Sequence, residues 1–145
     1  MIFNNLDELE RYVKKANEKA IKEIAEKQTK VVKDEIYKQV YLKSTAKYYK
    51  HTGDTYNNVQ YQIKGNIIET VLEDTGSWHS VFKPYKPMYA FDMLEAGKTW
   101  KSIDKEGNIS YRPQTHIAET VEKKLKKEIP LVYKKAMREQ GIKIR

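Results

Sequence analysis

No glycine or proline occurs before Gly53. A stretch of that length lacking both residues that most disfavour helix interiors can run as one helix. Apolar spacing turns that permission into an expectation. Leu6, Leu9, Val13, Ala16, Ala20 and Ile24 recur at threes and fours and so form one stripe. Gln28 interrupts the stripe, and Val32, Ile36 and Val40 resume it on nearly the same face. Asn5 can cap the first turn, with Glu8 answering three residues later as in a capping box. Asp7, Glu8 and Glu10 then stand where the helix dipole favours negative charge. The pattern predicts a helix from about Leu6 to Leu42.

At 1.5 Å per residue that helix spans on the order of 50 Å. The remaining roughly hundred residues form a modest core that does not easily cover such a length. Part of the stripe is therefore expected to face another helix or another subunit. The alternative is a break near Gln28-Thr29, with both halves folded inside the monomer. Ala16, Ala20 and Ala25 permit close helix approach in either case.

Beyond Tyr48-Tyr49-Lys50 the period changes. Val59, Tyr61 and Ile63 alternate with Gln60, Gln62 and Lys64, which is strand spacing. Gly65-Asn66 supplies a tight turn, and Ile67 to Glu73 returns as the second strand. From Asp74 to Pro87 the chain carries Gly76, Pro84 and Pro87 among Trp78, Phe82 and Tyr85. Its punctuation reads as an irregular aromatic loop. Such a loop either folds onto its own core or docks on a neighbour, since large aromatics anchor interfaces. Tyr89 to Leu94 is expected as a short helix or strand crossing the hairpin, closed by Glu95-Ala96-Gly97. Asn108 to Tyr111 is expected as a third strand, entered through Glu106-Gly107-Asn108 and stopped by Arg112-Pro113.

A second helix is expected from about Thr115 to Gln140. Ile117, Val121, Leu125, Ile129 (or Leu131), Val132 and Met137 line one side. Pro130 should break or kink it, because it lacks an N–H and clashes with the preceding turn. Gly141 is a natural terminator. Lys123, Lys124, Lys126 and Lys127 cluster around Leu125, as a solvated face or as phosphate contacts. The expected fold class is α+β. A long N-terminal helix (1–45) and a C-terminal helix (114–140) pack on a small antiparallel sheet built round a central β-hairpin (51–112), in one domain of 145 residues.

Composition narrows the function classes. Charged residues make up 33% and the hydrophobic set 39%, so elongated helices with one sticky face, or assembly with other copies, fit better than a thick globule. The absence of cysteine excludes disulfides and thiolate metal sites. An acidic start argues against a signal peptide, and no run is long enough to span a bilayer, so a soluble protein is expected. The net charge of +8 suggests a polyanionic partner, but the lysines of both helices are interleaved with glutamates, the habit of a solvated face.

Catalytic signals are weak. His51, His79 and His116 show no helical metal-pair spacing. Glu73-Asp74 and Asp92 with Glu95 are acid–base pairs by residue type only. Phosphate-loop, nucleophile-elbow and dinucleotide motifs do not occur. Neither an enzyme nor a cofactor is expected.

One resemblance follows from the order of motifs. His51-Thr52-Gly53 with Tyr56 and Val59 enters the hairpin. Tyr89-Ala90 with Glu95, Gly97 and Thr99 follows, and Arg112-Pro113 leads to Ile117-Ala118. This plan resembles the tail-completion (neck, or head–tail joining) proteins of tailed bacteriophages, over the chain from about Lys47 to the end of the second helix. Family members commonly place Arg before the Thr-Gly and Phe-Gly after the acidic residue, where this chain has His51 and Ala96. The resemblance implies a ring, typically sixfold, between the connector or stopper and the tail-tube or tail-terminator proteins, with phage DNA passing through its lumen. It also implies residence in the virion neck, after assembly in the host cytoplasm, with no cofactor and no membrane partner. Ring closure would come from heterologous contacts. Trp78, Phe82, Tyr85, Tyr89, Phe91 and Glu95 are the candidate interface residues. Lys123, Lys124, Lys126 and Lys127 are the candidate DNA-proximal ones, and the hairpin tip near Gly65 is a candidate contact with the tail or neck. The rival is a small basic nucleic-acid-binding protein or RNA-acting toxin, using lysine clusters with Tyr48, Tyr49 and Tyr56 for stacking.

Overall fold

A computed structural model describes residues 3–42, 54–72, 78–80, 83–88, 101–103, 106–107, 109–111 and 115–144. The first helix, α1 (Leu6–Ile36), continues without a break into a π-helical turn over Tyr37–Tyr41. Its start follows from the local chemistry. The Glu8 amide donates to Asn5 Oδ1 at 2.8 Å, and Glu8 Oε2 accepts from the Asn4 amide at 3.0 Å. Two otherwise orphaned amides are thereby satisfied. The reciprocal arm reaches one residue further back than in the usual capping box. No break occurs at Gln28-Thr29. The Thr29 hydroxyl donates to the Ala25 carbonyl at 2.9 Å and so stays within the helix.

A single helical turn, α2 (Asp54–Asn57), leads into the hairpin of β1 (Val59–Lys64) and β2 (Ile67–Leu72). The strands pair antiparallel from Val59↔Leu72 to Lys64↔Ile67, leaving a two-residue turn. Gly65 takes φ 61 while Asn66 keeps a negative φ, the demand of a II′ turn for glycine at its first central position. Burial falls along the hairpin. Val59 is buried at its base, whereas Ile63 and Ile67 near the tip are exposed. Only the base belongs to the core.

Two further ribbons follow: β3 (Trp78–Ser80) with β4 (Lys83–Met88), and β5 (Lys101–Ile103) with β6 (Ile109–Tyr111). They change two expectations. The aromatic stretch expected as an irregular loop is a hairpin, paired Trp78↔Met88 and His79↔Pro87, with its register broken between His79 and Ser80. Pro84 and Pro87 are tolerated because both strands of an isolated pair are edges, where a missing N–H can face outward. Nor do these strands extend the central hairpin. Among the described residues the sheet structure is three separate two-stranded antiparallel pieces. Ile109–Tyr111 is a strand, as expected, but it pairs with Lys101–Ile103, which the sequence pattern had not marked. The segments around Thr52-Gly53 and from Tyr89 to Thr99 lie outside the described residues.

The closing helix, α3 (Ile117–Glu139), runs through Pro130 unbroken. Proline removes one amide, and the carbonyl left without it, that of Lys126, sits on an exposed turn where water can serve it. The C-terminus is a Schellman motif. Gly141 at φ 78 donates to the Arg138 carbonyl at 2.8 Å, and the Ile142 amide donates to the Met137 carbonyl at 3.0 Å. This turn folds Ile142 and Ile144 back onto the helix pair.

α1 and α3 pack antiparallel, as a ladder of contacts shows. Gln39 meets Thr120, Glu35 meets Lys124, Lys27 meets Glu128 at 2.6 Å, and Asn17 meets Tyr133 at 3.0 Å. At the far end the Tyr12 hydroxyl donates to the Gln140 carbonyl. The core has two parts. In the larger, Val31, Ile36 and Val40 from the first helix meet Val59 from the hairpin and Ile117, Val121 and Leu125 from α3. In the smaller, Ala16 and Ala20 let Ala136 and Met137 approach closely, with Tyr133, Ile142 and Ile144 sealing the side. The architecture is α+β, as the periodicity predicted. Of the two options for α3, Ile129 packs at the core and Leu131 points outward.

Candidate assembly surface

Helices α1 and α3 are pinned at one end by a polar seam. Glu35 is almost wholly buried and accepts hydrogen bonds from Lys124 Nζ and, at 3.1 Å, from Gln39 Nε2. Gln39 turns its Oε1 to the His116 amide at 2.8 Å, satisfying a donor at the start of α3 whose own side chain makes no cap. Burial pushes the Glu35 carboxyl up. The hydrogen bonds from Lys124 and Gln39, with the charges of Lys124 and Lys38, outweigh it and hold the group below its ordinary value. A paired and hydrogen-bonded carboxylate at a helix–helix contact fixes the register of the two helices. This seam combines residues far apart in the chain, and no sequence motif marks it.

The seam also resolves much of the basic cluster. Lys124 is spent on Glu35, Lys123 on Glu119 and Lys126 on Glu122. Glu119 and Glu122 lie below their ordinary value chiefly because each accepts a lysine hydrogen bond, and Lys123 is raised by its bond to Glu119. Of the four candidate DNA-proximal lysines, Lys127 is left exposed without an ion pair among the described residues. The structure thus places Lys123 and Lys126 on a mixed, solvated face and Lys124 in the seam between the helices.

The apolar stripe of α1 outruns its cover. From Ala16 onward the stripe is sealed by α3 and the returning tail, but α3 ends level with Tyr12. Leu6 is 81% exposed, and Leu9 and Val13 are also open to solvent. They continue the spacing of Ala16 and Ala20, so they face the side on which α3 would lie if it were longer. Phe3 packs tilted against Tyr12 at 5.2 Å between ring centroids, yet Leu6 stays open and Leu9 and Val13 are 38% and 40% exposed. An unburied stretch of an otherwise buried stripe is a candidate contact surface. Leu131 on α3 is a second such position, 67% exposed, and sequence reasoning had offered it as a possible core residue.

The expected interface aromatics divide by location. Trp78 lies in β3 and Tyr85 in β4, so the second hairpin holds both in one ribbon. Phe82, Tyr89, Phe91 and Glu95 lie outside the described residues, as do His51 and the carboxylate pairs Glu73-Asp74 and Asp92 with Glu95. His116 is exposed at the start of α3, and His79 falls in β3. Among the described residues no cluster of three or more His, Asp or Glu could hold a metal ion. None of the helices among them is long and apolar enough to cross a membrane. In comparison with known proteins, no family model, no curated protein and no solved structure matches this chain.

Proposed function

We propose that this protein is a structural component of a tailed-bacteriophage neck, a tail-completion or head–tail joining subunit. In this reading copies form a ring, sixfold in the family it resembles, between the connector and the tail tube, and DNA passes through the centre. Its chemistry is adhesion, and it turns over no substrate.

The observation that carries the reading is the overhang of α1. A monomer that met all its own needs would bury Leu6, Leu9 and Val13 as it buries Ala16 and Ala20, yet Leu6 stays open and the other two are covered only in part. Burying one such side chain fully is worth roughly 1.5–3 kcal/mol. Contact with a neighbour is the direct way to recover that. The order of motifs from Thr52-Gly53 to Arg112-Pro113 supplies the identity of the assembly. Trp78 and Tyr85, held in one ribbon, extend the proposed contacts.

Imaging of virions assembled with this chain tests the reading, and density for it at the head–tail junction is the expected result. Trp78→Ala should leave the free protein folded and lower its incorporation into particles several-fold. Incorporation at the wild-type level would remove the second hairpin from the interface. Residence outside any virion, or turnover of a substrate at a defined pocket, would overturn the whole reading. The nucleic-acid-binding rival predicts tight binding of short DNA or RNA with a steep salt slope.

A further inference from the structure

Helix α3 carries a second uncommitted surface, and its chemistry is the complement of the overhang. Its four acidic residues are all occupied: Glu119 with Lys123, Glu122 with Lys126, Glu128 with Lys27 of α1, and Glu139 with Lys135. Lys127, Lys134 and Arg138 make no ion pair among the described residues. Together with Leu131 they recur at intervals of four, three and four, which places them in one line along the helix. The line lies away from Val121, Leu125 and Ala136, which are buried. At 1.5 Å per residue it runs about 16 Å, with an exposed leucine between unpaired cations.

The overhang of α1 offers the opposite pattern over a shorter length, about 10 Å. Leu6, Leu9 and Val13 form the uncovered apolar line, and Asp7, Glu8 and Glu10 surround its tip. The two surfaces cannot meet within one molecule, because α3 runs antiparallel to α1 and stops level with Tyr12. We propose that the first two turns of α1 dock on the Lys127–Leu131–Lys134–Arg138 line of α3 in a second copy of this chain. Leu6 and Leu9 cover Leu131, and Asp7 and Glu10 face the three cations. Because the two surfaces are different, the contact repeats head to tail and closes a ring when the rotation allows it. The inference rests on the assembly reading above and supplies the residues for it.

The test is a pair of charge reversals in the full chain. One variant carries Asp7→Lys and Glu10→Lys; the other carries Lys127→Glu, Lys134→Glu and Arg138→Glu. Glu8 is left in place because it caps the helix. Mass is measured by sedimentation at low salt, up to roughly millimolar protein, where weak contacts are populated. The wild type should self-associate and lose mass as salt rises. Each variant should lose association at least tenfold, and mixing the two should restore it, since each then meets an opposite charge. Restoration also shows that both variants fold.

A wild-type protein that stays monomeric throughout overturns the proposal. So does a wild-type assembly that neither reversal weakens, though the ring reading would survive that result. Loss of association on reversing the α1 charges alone would mean that overhangs pair with one another, which also overturns it. If the α3 reversal abolishes binding of a short DNA duplex while self-association persists, the line serves nucleic acid and the proposal falls. A closed dimer that obeys the reversal and rescue pattern supports the docking contact and counts against the neck ring.

Discussion

The two ends of α1 obey the same periodicity and meet different fates. Near its C-terminal end, Val31 and Ile36, with Val40 in the π turn, are sealed between the hairpin base and α3. Near its N-terminal end the pattern repeats with its cover running out: Leu9 and Val13 are partly exposed and Leu6 is almost fully so. The difference is one of neighbours. An apolar stripe declares which side of a helix wants cover, and only the rest of the chain decides how far that cover reaches. Stability should therefore be concentrated at one end of this helix and interaction at the other.

The sharpest way to break that contrast is a pair of truncations. Ile36→Ala, at a fully buried position, should cost about 2–5 kcal/mol, whereas Leu6→Ala should cost under about 0.5 kcal/mol. Urea unfolding of both variants decides it. Similar losses would mean that the overhang is covered within the monomer after all.

A smaller effect is expected at the polar seam. Lys124→Met leaves the Glu35 carboxylate buried with its main partner gone, and should cost about 1–3 kcal/mol at neutral pH. The folded pKa of Glu35 is lowered from its ordinary value of 4.5. Its contribution is therefore complete above that value and is lost as pH falls through the lowered folded pKa. Denaturation followed from neutral pH down past 4.5 should show the wild type losing this increment and Lys124→Met starting without it. A constant gap between the two across the whole range would assign the loss to side-chain packing.

The least global effect sharpens the comparison from the other end. Asn5→Ala removes the cap and should cost roughly 1 kcal/mol of local helix stability. Because α3 does not reach the first turn, the loss should appear as faster amide exchange near Leu9 with almost no change in the unfolding midpoint. A drop in global stability would show that the overhang belongs to the cooperative core.

Much of this fold was legible residue by residue. The unbroken run before Gly53 and the three-and-four spacing gave the long helix. Asn5 and Glu8 marked its start, and Gly141 the end of the last one. The alternation around Gly65 gave the first hairpin and its turn. Other elements were illegible for identifiable reasons. The Trp78–Met88 ribbon was masked by Pro84 and Pro87, which read as breakers unless both strands are known to be edges. Of the break or kink expected at Pro130, the break does not occur, since the cost of proline depends on whether the freed carbonyl can reach water. Leu131 could not be told from Ile129 by spacing, because two neighbouring positions fit the same side until the helix is turned against its partner.

The sequence by itself determined where helices start and stop, which faces are apolar and where the chain reverses, because those are decided by interactions within a few residues. The tertiary structure decided the pairing of Glu35 with Lys124 and of Glu128 with Lys27, and the point at which α3 stops covering α1. Those depend on distances between residues far apart in the chain, which no local pattern encodes. The surfaces left over, an acidic apolar tip and a basic line along α3, become visible only once that internal pairing is known.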